Sequence, residues 1–221
     1  MKPPVAPALV LIAALMAGAI AVQVVRDRNW TPYQPANGVM WIRSGEAARR
    51  LALSYDAIAA DVYWIRAVLY YGGRRRSESA TKDYSALYPL LDLVTSLDPH
   101  FRIAYRFGSI FLTEAYPAGP ARPDLAITLL QRGIERDFGK WEYYHDIGFI
   151  YYWWVHDYQQ AAEWFLRGAE RPNSAEWLRP LAATTLISGE SRESSRMLWQ
   201  QMAVSDVPYL QRQAAHRLQQ L

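Results

Sequence analysis

Residues 144–172 read YHDIGFIYYWWVHDYQQAAEWFLRGAERP, and they carry the clearest helical pattern in the chain. Its first half places a bulky residue, an apolar–small pair and an aromatic residue along one helix face. Its second half repeats small residues at helical spacing. Because helix axes about 8–10 Å apart leave no room for large side chains at the contact, the small residues predict a closely packed helix pair. The positions are Tyr144, Ile147, Gly148 and Tyr151 on the first helix, Asp157-Tyr158 in the turn, Ala161, Phe165 and Gly168 on the second helix, and Pro172 after it.

Three other stretches carry the same order of residues. Gly148 lies 34 residues before Ala182, and Gly108 lies 40 residues before Gly148. A helix pair that cannot bury its own apolar face stacks on copies of itself, so this period predicts a stack of helix pairs. The second unit has Ala104, Phe107, Gly108 and Phe111 on its first helix and a lengthened turn at residues 117–123.

The first unit is the most diverged, with a long loop predicted at residues 72–76, and a last helix from Tyr209 to Leu221 is predicted to cap the stack. The predicted repeat-packing positions are Trp64, Tyr71, Ala86, Gly108, Ala126, Gly133, Gly148, Tyr151, Ala161, Gly168 and Ala182.

These residues resemble the tetratricopeptide repeat (TPR) superfamily across about residues 61–208. Residues 60–67, ADVYWIRA, and residues 88–93, YPLLDL, are also similar to a group of small bacterial proteins that join an N-terminal membrane segment to degenerate TPR units. With the four units above, the resemblance implies an all-α solenoid of about four helix pairs plus a C-terminal capping helix, over residues 47–221. The resemblance further implies a scaffold of the bacterial cell envelope that binds protein partners. It does not imply any enzymatic activity.

An apolar run at the N-terminus has three interpretations. Residues 8–25 are interrupted only by Gln23, and a helix of that length spans roughly 27 Å, just enough for the hydrocarbon core of a membrane. Within residues 1–28 we favour a transmembrane anchor; a cleaved signal segment and a buried core helix are the alternatives. If residues 1–28 are an anchor, we expect a single-pass protein of the bacterial inner membrane with its repeat domain outside the cytoplasm. If they are a cleaved signal, we expect the mature protein to be periplasmic or secreted. Residues 29–46, punctuated by Pro32, Pro35 and Gly38, are predicted to be a linker.

Composition narrows the class of protein. The chain has 221 residues, of which half are hydrophobic, so one sizeable domain with a large core is expected. The formal charge of +3 is well short of the basic footprint that nucleic-acid binding needs. Cysteine is absent, which excludes disulfides and thiolate metal sites.

No catalytic motif, cofactor motif or metal site is predicted. The four histidines, His100, His145, His156 and His216, are scattered along the chain. His145 and Asp146 are neighbours, but adjacent helix positions point about 100° apart, so we expect that the two side chains cannot share one ion. The sequence lacks a phosphate-cradling glycine loop, and its serines lack the strand–turn–helix setting of a nucleophile elbow. The protein is therefore predicted not to be an enzyme.

A candidate partner-binding groove follows from the TPR register of the third unit. In that register Glu142, His145, Phe149, Tyr152 and Trp153 line the concave face. Aromatic side chains are favoured binding anchors because they bring a large, rigid contact area. Alternatively the aromatic side chains fill the interior of the stack, and this is the preferred interpretation for Tyr151 and Trp154.

Three functions remain open at this point. The leading hypothesis is a membrane-tethered protein–protein interaction scaffold that aids the assembly of an envelope complex. The others are a fixed accessory subunit of a larger membrane complex and a hydrolytic enzyme with a site between units.

The run Arg74-Arg75-Arg76 either meets lipid phosphates or is a solvated loop.

Overall fold

The computed structural model describes residues 5–29, 45–189 and 191–220, and every element within them is helical. The prediction of an all-α protein is therefore confirmed. The elements are α1 (Val5–Asn29), α2 (Gly45–Ala52), α3 (Asp56–Arg76), α4 (Leu87–Leu97), α5 (Arg102–Thr113), α6 (Pro123–Arg136), α7 (Trp141–Ile150), a π-helical turn (Tyr151–Val155), α8 (Tyr158–Ala169), α9 (Leu178–Ser188), α10 (Arg192–Ala203) and α11 (Pro208–Leu218).

Helix α1 belongs to the first of two compact units, Met1–Gly38 and Val39–Leu221. It has 25 residues, and its apolar side chains from Val10 to Val25 are exposed. A search of the described residues finds no helix with both the length and the apolar character needed to cross a membrane, so the predicted transmembrane helix is not confirmed. The predicted linker lies mostly outside the described residues; α2 begins inside its last two positions, at Gly45.

In the second unit each helix packs against the next one along the chain. The most extensive contacts are those of α3 with α4, α5 with α6, α7 with α8, α8 with α9, α9 with α10, and α10 with α11. Contacts also join α5 to α7 and α9 to α11, so alternate helices lie side by side. The interior consists of three adjoining apolar clusters, and Tyr151 packs against both the first and the second of them.

Gly148 shows why small residues are needed where α7 meets α8. A Cβ atom at this position would lie 2.6 Å from two ring carbons of Phe165 and 3.0 Å from the carbonyl oxygen of Ala161. Contacts that short are repulsive, so any side chain at position 148 pushes the two helices apart.

The predicted loop at residues 72–76 is wrong: these residues are the last turn of α3. Arginine is a good helix former, and two of the arginines interact with residues four positions earlier in the same helix. The guanidinium of Arg75 donates a 3.1 Å hydrogen bond to the hydroxyl of Tyr71, and that of Arg74 lies 5.4 Å from the ring centre of Tyr70. These contacts continue the helix through a glycine pair that the sequence pattern assigned to a loop.

The second unit also departs from the predicted pattern on α5. Phe107, expected to pack inside, is exposed, whereas Tyr105 is fully buried. Tyr105 contacts Tyr143 of α7 with ring centres 5.5 Å apart, and this contact sets the face of α5 that turns inward. Two of the predicted repeat-packing residues are only half-buried: Ala86 at the N-terminal cap of α4, and Trp64 against the core. Tyr71 is buried. The predicted small residues are buried as well: Gly108, Ala126, Gly133, Gly148, Ala161, Gly168 and Ala182.

Candidate functional site

The most distinctive surface follows from the spacing of three side chains on α7 and the π-helical turn. His145, Phe149 and Trp153 recur every fourth residue and so share one face of the helix; we call them the aromatic strip. Phe149 and Trp153 are 46% and 56% exposed, and their rings stack at 6.2 Å with planes 3° apart. The imidazole of His145 stacks on Phe149 at 6.3 Å. The strip is thus a preformed aromatic surface that faces solvent.

Two tryptophans enclose the His145 end of the strip. Trp177, in the turn before α9, meets the His145 imidazole edge-on at 5.4 Å, and Trp141 meets it at 6.4 Å. Trp141 and Trp177 also contact each other at 5.8 Å, and Trp177 is itself exposed. Neither tryptophan was predicted from the sequence, because Trp177 lies in a turn and Trp141 is the first residue of its helix, outside the repeat pattern.

A row of ion pairs between α5 and α7 borders the strip. Arg102 donates a 2.7 Å hydrogen bond to Glu142, and Arg106 donates bonds of 2.5 and 3.0 Å to the two carboxylate oxygens of Asp146. The hydrogen bond to Asp146 raises the pKa of Arg106 above its ordinary value. The carboxylates of Glu142 and Asp146 are therefore each paired with an arginine. The surface of the aromatic strip is thus mainly aromatic and carries no unpaired acidic group beside it.

The expectation that His145 and Asp146 point apart is wrong. Nδ1 of His145 lies 3.0 Å from Oδ1 of Asp146, because side-chain rotation brings the two groups together across adjacent helix positions. The result is a hydrogen-bonded chain from Arg106 through Asp146 to His145 that fixes the orientation of the imidazole. Within the described ranges, no cluster of three or more potential metal ligands occurs.

The other predicted groove residues are less open. Glu142 is half-buried in its ion pair. Tyr152 is half-buried, packs against the second apolar cluster and meets Tyr158 edge-on at 5.4 Å. Tyr151 and Trp154 are half-buried against the core. Of the five candidates, the structure therefore brings His145, Phe149 and Trp153 together on one open face.

Helix α5 adds a second apolar surface across the ion-pair row. Ile103, Phe107 and Ile110 lie on one helical face and are each about half exposed. Because Arg102 and Arg106 on α5 pair with Glu142 and Asp146 on α7, this surface lies beside the aromatic strip.

A separate cleft of about 460 Å³ is lined by residues of α6, α7 and α8 and of the connections that follow α6 and α8. The guanidinium of Arg171 lies 4.3 Å from the ring centre of Phe138, and that of Arg167 lies 4.8 Å from that of Trp164. No sequence motif marks this cleft, since its walls come from separate elements. The lining residues are Gln131, Ile134, Glu135, Phe138, Tyr144, Trp164, Arg167 and Arg171.

Fold and surface together describe an all-α protein with an exposed aromatic face. Comparison of the chain with known protein families, with curated proteins and with solved structures finds no match.

Proposed function

We propose that this protein is a non-catalytic interaction scaffold with TPR-like repeats, which binds a segment of a partner protein on the aromatic strip and is held at a membrane by α1. The observation that carries the proposal is the exposure of Phe149 and Trp153. Large aromatic side chains that are half exposed and already ordered lose little conformational freedom on binding, which is why Trp is enriched among binding anchors.

The ion pairs support the repeat assignment. Three of them join residues 40 positions apart: Asp92 with Arg132, Arg102 with Glu142, and Arg106 with Asp146. A constant separation between contacting residues is what stacked copies of one helix pair produce. The same 40-residue offset separates Gly108 from Gly148.

The surroundings of the strip support a peptide or helix as the bound segment. Aromatic rings supply anchoring contacts, and the neutralised ion-pair row presents no excess charge to repel either sign of side chain. The apolar side chains of α5 extend the surface sideways. A partner that lays apolar side chains across α5 and α7 fits this arrangement best.

The membrane part of the proposal is supported by α1. Its exposed side chains from Val10 to Val25 are almost all apolar. An apolar helix surface of this kind is stable in lipid and unfavourable in water. In this proposal α1 lies in the bacterial inner membrane. The second unit, Val39–Leu221, lies outside the cytoplasm, where envelope complexes assemble.

The test is co-purification of partners from membranes with wild-type protein, Phe149→Ala and Trp153→Ala. Truncating an anchor costs about 2 kcal/mol, which corresponds to roughly thirtyfold weaker binding. Both variants should therefore lose the partner while they keep the helicity and melting temperature of the wild type.

Two controls make this result specific. Phe138→Ala removes a similarly exposed ring from the separate cleft and should keep the partner. Phe165→Ala empties a fully buried site and should lower the free energy of unfolding by about 3–5 kcal/mol. Undiminished capture by both Phe149→Ala and Trp153→Ala would refute the assignment of the aromatic strip.

A further inference from the structure

Helix α3 carries an apolar stripe on the side opposite its core contacts. Ile58, Val62, Ile65 and Leu69 follow each other at intervals of four, three and four residues, so they lie on one face. They are between 44% and 61% exposed, whereas Tyr63, Ala67 and other residues of the opposite face are buried. We call these four residues the α3 stripe.

The segment before α3 continues the apolar character. Leu51, Leu53 and Tyr55 at the end of α2 and in the following turn are all exposed. At the other end of α3, a Cβ atom at Gly72 or Gly73 would have no neighbour within 4 Å. Within the described part of the second unit, the whole outer side of α3 is thus open.

Charge is distributed around the stripe in a consistent way. Between Gly45 and Arg76 the chain has six arginines and three carboxylates. Arg49 and Arg50 precede the stripe, Arg74, Arg75 and Arg76 follow it, and Arg50 and Arg76 are exposed. Arg50 is paired with Glu46, and the exposed Asp61 lies beside the stripe, so the excess of basic charge is at its two ends. Aliphatic side chains flanked by basic groups match a bilayer interface, where apolar groups enter the acyl boundary and arginines meet lipid phosphates.

The residue types also separate this surface from the aromatic strip. Leu and Val are under-represented among the anchors of protein interfaces, in which Trp, Tyr and Arg dominate. The α3 stripe is entirely aliphatic, whereas Phe149, Trp153 and Trp177 provide the aromatic surface. The α3 stripe thus lacks the aromatic anchors that the aromatic strip has.

Chain length brings the stripe within reach of a membrane. Residues 30–44 separate α1 from α2, and a chain of that length reaches at most about 55 Å. This step rests on the proposed anchoring of α1.

We infer that the α3 stripe docks on the surface of an anionic bilayer, with its aliphatic side chains in the headgroup–acyl boundary and the flanking arginines on lipid phosphates. Docking at α3 fixes the direction in which the aromatic strip faces relative to the membrane. The strip therefore binds its partner in one orientation.

The test uses the absence of native cysteine. The full chain carrying Ile65→Cys with an environment-sensitive fluorophore is reconstituted in phosphatidylcholine vesicles with and without phosphatidylglycerol. Spin-labelled lipids that quench in the headgroup–acyl boundary are then added. We expect severalfold stronger quenching at position 65 than at Gln200→Cys, an exposed control position on α10, and stronger quenching when phosphatidylglycerol is present. Arg50→Gln combined with Arg76→Gln should remove most of the dependence on phosphatidylglycerol.

The outcomes distinguish docking from anchoring. A label at Leu15→Cys reports on α1 alone, so quenching at position 15 without quenching at position 65 overturns the docking and leaves the anchor intact. Quenching at position 65 without quenching at position 15 retains the docking and overturns the anchor. The docking is also overturned if position 65 cross-links between two copies and shows no lipid quenching. It is likewise overturned if quenching is equal at positions 65 and 200.

Discussion

At the scale of single residues, Gly148 allows α7 to approach α8 closely. The ring of Phe165 occupies the space where a side chain at position 148 would begin, and backbone of α8 lies just beyond. Phe165 is itself fully buried, so it has no open space into which to move. The contact therefore depends on the absence of one methyl group.

Gly148→Ala should lower the free energy of unfolding by about 1–3 kcal/mol, because the added methyl overpacks a buried contact. Gly72→Ala is the matched control: that glycine is helical, has open space around it and lacks a positive φ. Since alanine favours a helix over glycine by up to about 1 kcal/mol, this control should stabilise the protein. Urea unfolding of both variants provides the measurement, and an unchanged midpoint for Gly148→Ala would contradict the close packing.

The two glycine sites also show what sequence reasoning can achieve here. Gly148 stands in a strong helical pattern, so a glycine there indicates a close contact, and the structure places Phe165 against it. Gly72 and Gly73 stand beside three arginines with no apolar pattern, so the same residue type suggested a loop. The helix continues there through contacts of Arg74 and Arg75 with tyrosines, which a pattern of apolar spacing does not detect. The prediction that Phe149 and Trp153 bind a partner stays a prediction.

At the scale of elements, the alignment of α5 with α7 depends on a polar row between them. Arg106 and Asp146 form a two-bond ion pair, and the Asp146 side chain is only 16% exposed. Because Arg106 remains partly open to water, the pair is worth less than a fully buried one. The sequence pattern could not reveal this row, since it depends on which faces of two separate helices meet.

A double-mutant cycle with Arg106→Gln and Asp146→Asn should give a coupling energy of roughly 0.5–1 kcal/mol in urea unfolding. The comparison is the pair Arg122 and Asp124, which lies within one turn and is about half exposed at both ends. That pair should show no measurable coupling, because water screens it. Equal coupling in the two cycles would mean that the α5–α7 pair does not help to hold the helices together.

At the scale of the whole molecule, the interior of the helical unit contains many tyrosine hydroxyl groups. Burial raises the pKa of Tyr70, Tyr71, Tyr84, Tyr88, Tyr105 and Tyr144, and it raises the pKa of Tyr143 to about 12. The cause is common to all of them: removal from water disfavours the charged phenolate. These tyrosines lie on α3, α4, α5 and α7 and in the connection between α3 and α4, so a change in pH acts on all of these elements together.

The sign of the pH dependence follows from these pKa values. Below about pH 10 the tyrosines are neutral in both the folded and the unfolded chain, and their contribution to stability is fully present. Between pH 10 and pH 12 the unfolded chain loses protons that the folded protein still holds, so the free energy of unfolding should fall steeply. For Tyr143 alone, the difference between 10.0 and about 12 corresponds to roughly 2–3 kcal/mol.

Urea unfolding at a series of alkaline pH values, followed by circular dichroism, tests this expectation, with tyrosinate absorbance as the second signal. Tyr143→Phe keeps the buried ring but removes the ionisable group, so its unfolding free energy should fall less between pH 10 and pH 12. Phe165→Leu is the matched control, because it weakens the core without removing an ionisable group and should shift the whole pH curve downward with the same slope. If unfolding free energy is constant across this range, or if Tyr143→Phe follows the wild-type slope, the buried tyrosines do not set the alkaline limit of the fold.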